Sequence, residues 1–174
     1  MTEPFAIRRA TSDPAEAEGL AEVLLETVGG GASVGFMLPL PRDKAVAFWR
    51  GCQAAADRGE RILLIAEDPG GEIVGTVQVV LAMPDNQPHR GEIAKMQVKP
   101  KARRRGLGEA LMRAAEQAAR EAGRTLLVLD TVTDSAASRL YARLGWVRVG
   151  DIPAYALWPN GGLCSTTVFY RELT

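Results

Sequence analysis

Histidine and cysteine are almost missing: His89, Cys52 and Cys164 are the whole supply in 174 residues. The two cysteines stand in no CxxC or Cys/His spacing, and a zinc site gathers about four such ligands. No metal is expected, and the cysteines read as reduced, apolar packing groups. Aromatic residues make up only 6%, too few to interleave with basic residues as a nucleic-acid surface requires. No stretch reaches the roughly 18 apolar residues of a membrane span. Residues 1–9 lack the basic segment and apolar run of an export signal, so a cytoplasmic protein without a membrane partner is expected. An excess of one charge is missing too: 21 Lys and Arg balance 21 Asp and Glu. Any electrostatic recognition must therefore be local.

What is present is a globular composition, 47% apolar and 24% charged, and a length that favours one domain over residues 1–174. A short strand is expected at 5–9. Asp13-Pro14-Ala15-Glu16 then supplies a cap, a proline in the first turn and an acid three residues after the cap. The helix that follows stops at Gly29-Gly30-Gly31. A loop over 29–40 leads to a second helix opened by Pro41, and 61–67 with 72–83 reads as an antiparallel hairpin. The second half alternates: strand 93–98, helix 107–122, an apolar strand at 126–129 covered on both faces, helix 135–144, and final strands at 146–149 and 166–170. The fold class is α/β, a mixed central sheet with an antiparallel first half and a parallel pair in the second, flanked by helices.

The segment Met96-Gln97-Val98-Lys99-Pro100-Lys101-Ala102-Arg103-Arg104-Arg105-Gly106-Leu107-Gly108 carries the chemistry. A strand end, five basic residues and two glycines precede an amphipathic helix. A helix start offers unpaired amides and partial positive charge, so the pattern predicts a diphosphate-bearing cofactor. It is not a nucleotide P-loop, since no Lys-Ser/Thr follows Gly108, and Leu111 stands where a dinucleotide fingerprint needs its third glycine. Taken alone, the basic run also reads as a solvated loop or a nucleic-acid patch.

Arg103-x-x-Gly106-x-Gly108, after Met96-Gln97-Val98 and Pro100, resembles the acyl-CoA pyrophosphate loop of the GNAT superfamily of N-acetyltransferases. Asp134-x-x-Ala137-x-x-Leu140-Tyr141-x-x-Leu144-Gly145-Trp146 resembles its second signature, where Asn is usual at the first position and Phe at the last. The resemblance is strongest over 92–149. Segments at 25–28, 31–37 and 150–155 look narrower still, like the tabtoxin-resistance-type acetyltransferases, which act on a β-lactam amino acid antimetabolite.

The resemblance implies acetyl-CoA as co-substrate and no metal. Arg103, Arg104, Arg105, Gly106, Leu107, Gly108 and Glu109 would surround the pyrophosphate, with Asp134 and Ser138 beside them. The strand edge at Met96, Gln97 and Val98 would pair with the pantetheine arm. Tyr141 would protonate the departing thiolate, although its helical spacing also suits a packing role. Asp130, at the carboxyl end of an apolar strand where desolvation favours a base, is the preferred proton acceptor. Glu92 is the second candidate; simple parallel register would put the two carboxylates near opposite ends of their strands. The loop 29–40, with exposed-looking Val34, Phe36 and Met37, forms one wall of an acceptor pocket. Trp158 and residues 159–162 either form the opposite wall or pack against a second copy in a homodimer. Arg90 or Lys95 would supply positive charge to a carboxylate of the acceptor.

The expected activity is acetyl-CoA-dependent N-acetylation of a small amine by direct attack in a ternary complex. A β-lactam amino acid is one candidate acceptor, with antibiotic resistance as the corresponding role. The alternatives are a protein or peptide N-acetyltransferase and a non-catalytic acyl-CoA-binding module. Neutral overall charge argues against a nucleic-acid partner.

Overall fold

Helix α1 (Pro14–Gly29) begins where local chemistry dictates. The Asp13 carboxylate accepts the Ala15 N–H at 2.9 Å, and Pro14 fills the first turn, where an amide would go unpaired. Glu16 does not complete a capping box. It turns back to the first strand, accepting the Thr11 N–H at 2.6 Å and a bond from Arg8 at 2.7 Å. The guanidinium offers a stronger, charge-assisted partner than the cap amide. The computed structural model describes residues 5–174; residues 1–4, part of the stretch searched for an export signal, lie outside them.

Strands β1 (Ala6–Arg9), β2 (Arg61–Glu67), β3 (Ile73–Val80), β4 (Arg90–Val98), β5 (Leu126–Val132), β6 (Val147–Leu157) and β7 (Leu163–Glu172) form one seven-stranded sheet. Their order is β1-β2-β3-β4-β5-β7-β6. Only β4 and β5 run parallel, as the change from hairpin to strand–helix–strand pattern requires. Helices α1 and α2 (Arg42–Asp57) pack on one face through Leu20, Leu24, Trp49, Leu63 and Ile65. Helices α3 (Leu107–Glu121) and α4 (Ala136–Arg143) pack on the other, over Leu64, Ile93, Leu127, Leu129 and Phe169. Among the described residues no helix is long and apolar enough to cross a membrane.

Two expectations need correction. Strand β5 is not covered on both faces: Leu127 and Leu129 are buried under α3 and α4, while Leu126 and Val128 are half-buried and Asp130 is exposed. The reason is lateral: α1 and α2 lie over β2, β3 and β4, and among the described residues neither packs extensively on β5. Strand β6 runs eight residues beyond the expected Val149, to Leu157. It pairs with β7 on one side, with a break in register between Ile152 and Ala156, and forms one edge of the sheet.

A buried carboxylate joins α3 to the end of the sheet. Glu116, 2% exposed, accepts the Trp146 Nε1–H at 3.0 Å and pairs with Arg171 Nε at 3.2 Å. Trp146→Phe keeps an aromatic ring but removes one donor to a buried charge. It should lower unfolding stability by about 1.5–3 kcal/mol, measured by urea denaturation.

Candidate active site

The central feature is a gap between parallel neighbours. Strands β4 and β5 keep register only from Arg90↔Leu126 to Glu92↔Val128. Beyond it β4 remains paired to β3 as far as Val98, and β5 to β7 as far as Val132. The two strands therefore part, and the β4 edge from 93 to 98 has no strand paired to it on that side among the described residues. A β-bulge accompanies the parting: Gln78 pairs with Ala94 and Thr76 with Gln97, so Lys95 and Met96 together oppose Val77, with Lys95 at φ +52°. Bulges bend a strand and redirect its side chains, and they recur beside active sites.

The chain leaves β4 through a short 3₁₀ turn, Pro100–Ala102, before α3. The basic run is less available than its sequence implies. Lys99 is buried and pairs with Glu72 at 2.8 Å and Glu26 at 3.3 Å; Lys101 also bonds Glu72 and lies 3.7 Å from Asp68. Bonds from Lys101 and Lys99 hold the Glu72 carboxyl down at about 2. These two lysines are spent on the protein itself. Arg103 Nε donates to Val98 O at 3.0 Å, and Arg105 stacks 4.7 Å from the Phe5 ring centroid. Gly106 caps α3 at φ +78° and offers no side chain to the first amides. A Cβ built there would meet nothing within 4 Å, so the space over the helix start is open.

The other residues expected around a cofactor divide by depth. Leu107 is core, and the Glu109 side chain pairs with Arg113 at 3.5 Å, so each can offer only its amide. A Cβ on Gly108 would stand 3.1 Å from Leu140, which makes this glycine the close contact between α3 and α4. Gln97 is buried, its Oε1 accepting from Thr27 on α1 at 3.2 Å while its Nε2 has no partner among the described residues. Met96 and Val98 are half-buried and pack on the α3 side. Asp134 begins the turn into α4 at φ +57°, and Ser138 is turned inward, its hydroxyl donating to Ser135 O at 2.8 Å.

Tyr141 is buried on α4 between Trp146 and Phe169, with ring centroids 6.1 and 6.0 Å away. Burial, and then the charge of Asp130, push its pKa well above that of a free phenol. It thus lies within electrostatic reach of a carboxylate on the opposite sheet face. Asp130 is exposed rather than desolvated, and Thr166 Oγ1 donates to its Oδ2 at 2.7 Å. Glu92 shares the Asp130 face and lies only two residues from it in register, because β4 begins at Arg90 rather than at 93. The expected separation of the two carboxylates is therefore absent. Glu92 is held instead by Arg90 at 2.9 Å.

The loop 29–40 closes over the same side. Leu38 N–H donates to Pro159 O at 2.9 Å and Ser33 Oγ to Leu157 O at 3.2 Å, which brings the two expected walls into contact. Phe36 and Val34 are half-buried against α2, Phe36 edge-on to Phe48 at 5.1 Å; only Met37 of the three is exposed. Among the described residues no group of three or more His, Cys, Asp or Glu is placed to hold a metal ion.

Comparison with known proteins decides the family. The model of the acetyltransferase (GNAT) family matches residues 35–146, more than half of the chain. The chain belongs to the GNAT acetyltransferase family. The aminoglycoside N(6')-acetyltransferase type 1 of Klebsiella aerogenes is 33% identical to this GNAT chain over 97 residues, or 53% of the chain and 64% of that protein. The match thus spans under two thirds of that relative's length. A candidate acetyltransferase of Salmonella typhimurium, solved with its cofactor acetyl-CoA, superposes with a TM-score of 0.79 at 22% identity, over 99% of this chain and 95% of that one. The ribosomal-protein-alanine N-acetyltransferase of Brucella melitensis gives 0.79 at 21% identity, over 97% and 99%. At these identities the shared property is the fold.

Two features of this candidate site escaped the sequence: the Thr166–Asp130 bond and the Thr27–Gln97 bond. Each depends on strand register or on a contact between segments far apart in the chain, and no local motif encodes it.

Proposed function

We propose that this acetyltransferase, acting as one domain over 1–174, moves the acetyl group of acetyl-CoA to the amine of a small acceptor by direct attack. The observation that carries this reading is the gap between β4 and β5. Asp130 stands on one face of the sheet and Tyr141 on the other, close enough for the carboxylate to raise the phenol's pKa. Acetyl-CoA, when bound, supplies an acetyl group activated as a thioester on a long anionic carrier. The residues fit that carrier: α3 has no side-chain cap, the space over Gly106 is open, and among the described residues the β4 edge has no strand paired to it on that side beyond Glu92. Amides from 106–109, with Arg103, Arg104 and Arg105, would hold the diphosphate, and the edge at 96–98 the pantetheine arm. Asp134 and Ser138 border the same side.

In this reading Asp130 takes a proton from the acceptor ammonium, since a protonated amine has no lone pair with which to attack. Thr166 fixes the carboxylate's orientation. Glu92 is the weaker base, because Arg90 already occupies it. Tyr141 keeps its proton across neutral pH and holds it for the leaving sulfur. Cys52 is buried on the inner face of α2 and Cys164 is buried beside Ser33, which supports direct attack over a cysteine-bound intermediate.

A small acceptor is favoured because the loop 29–40 meets the turn after β6, walling the site rather than leaving a groove. The tabtoxin-resistance resemblance makes a β-lactam amino acid the first candidate, with resistance as its role. A homodimer belongs to the same reading, through the exposed apolar side chains of Val149, Tyr155, Leu157 and Leu163 on the β6–β7 hairpin. The test offers β-lactam amino acids, aminoglycosides, polyamines and short peptides with acetyl-CoA, and follows thiol release. Amino-acid acceptors should exceed peptides in kcat/KM by at least about tenfold. A preference for peptides overturns the small-acceptor reading; acetyl-CoA binding without transfer to any amine favours the non-catalytic module.

A further inference from the structure

The bulge in β4 places one cation where its charge is not neutralised. Most basic side chains near the site are engaged: Lys99 and Lys101 with Glu72, Arg90 with Glu92. Lys95 has no carboxylate within 4.0 Å among the described residues, although it is only half-exposed. The left-handed backbone at Lys95 directs the side chain toward α2 and the loop 29–40. There Nζ lies 5.8 Å from the Phe48 ring centroid and 3.5 Å from the position a Gly35 Cβ would take. It therefore lines the walled side of the sheet, the side that also carries Asp130.

A second cation stands behind it. Arg61 on β2 donates to Gln78 Oε1 at 2.5 Å, and its NH1 lies 3.6 Å from Cys52 Sγ; it too has no carboxylate partner among the described residues. The surroundings of Lys95 thus comprise another cation, a buried amide, a thiol and an aromatic ring, with Asp130 as the carboxylate within electrostatic reach. Burial lowers the Lys95 pKa, Asp130 raises it in part, and Arg61 lowers it further. Withdrawing an ammonium from water without an anion costs free energy, which a ligand carboxylate would offset.

We propose that Lys95 anchors a carboxylate carried by the acceptor, so that the substrate class is a free amino acid or a close analogue bound as its zwitterion. The inference rests on the acetyl-transfer reading and narrows it. The acceptor's amine lies toward Asp130 and its carboxylate toward Lys95; Arg90, already held by Glu92 and Gln87, is not the anchor. A polycation such as an aminoglycoside would instead bring positive charge against Lys95 and Arg61. The acceptor therefore differs in charge from the one that the name of the Klebsiella relative gives.

The experiment compares L-amino acids with their C-terminal amides, spermine and an aminoglycoside, using wild type, Lys95→Met and Lys95→Arg. Met preserves the aliphatic stem beside Phe48, Arg preserves the charge, and melting curves verify folding. In wild type the acid form should exceed its amide in kcat/KM by at least about tenfold, expressed through KM. Lys95→Met should bring that ratio to about one, and Lys95→Arg should keep part of it. A ratio near one in wild type, preference for a polycation, or a ratio unchanged in Lys95→Met overturns the anchor. Saturation-transfer NMR with the same acids and amides, in the presence of CoA, separates this inference from the acetyl-transfer reading. If no protein transfers acetyl to any amine, that reading fails. Acid-selective binding lost in Lys95→Met then still supports the anchor, and binding absent or equal in both proteins overturns it.

Discussion

Tyr141→Phe is expected to lower kcat about 10²-fold while the Kd for acetyl-CoA changes by less than about twofold. The substitution removes only an oxygen. The ring remains against Trp146 and Phe169, and the hydroxyl has no hydrogen-bond partner among the described residues. Little folding energy is at stake, so the melting temperature should move by no more than about 2 °C. What is lost is a proton held close to the gap between β4 and β5. Burial, reinforced by Asp130, keeps the phenol protonated well beyond its ordinary value. The wild-type rate should therefore show no descending limb near pH 10.0, where a free tyrosine would ionise. Equal kcat in mutant and wild type would leave Tyr141 a packing residue.

Gly106→Val should weaken acetyl-CoA binding by at least about 10²-fold, read by calorimetry. Two effects combine. Gly106 occupies φ +78°, a conformation costing an L-residue roughly 1–2 kcal/mol and a β-branched one more. The space beside it is open, so the new side chain would project over the first amides of α3, where the proposed diphosphate site lies. Gly106→Ala separates the two effects. It incurs the backbone strain with less bulk, so its melting temperature should fall by a few degrees while its CoA affinity suffers less. Full CoA affinity in Gly106→Val would show that the loop does not hold the diphosphate.

Much of the candidate site's placement was legible because its motifs are local. Gly106 and Gly108 flank a helix start within three residues, and the Tyr141 segment is one short helix, so spacing alone positions them. The parallel β4–β5 pair was legible too, since a strand, a helix and an apolar strand in succession admit few other arrangements. Two charged groups misled. Lys99 reads as part of a phosphate-binding run, yet it is buried against Glu72, 27 residues away in sequence. Asp130 reads as a desolvated base, yet among the described residues neither α1 nor α2 packs extensively on β5, and its hydrogen-bond partner Thr166 lies 36 residues further on.

By itself the sequence determined the order of elements, the mixed sheet and the glycine-bearing helix start, because propensity, periodicity and turn chemistry act over a few residues. Tertiary structure alone decided which charges are free. Arg90, Lys95 and Lys99 lie on one strand or at its end within ten residues, and nothing local distinguishes them. The bulge opposite Val77 turns Lys95 toward α2, strand register sets Glu92 beside Arg90, and the hairpin turn after β2 brings Glu72 to Lys99. An ion pair depends on distances of a few ångströms between residues remote in the chain, and those distances exist only once the sheet has formed.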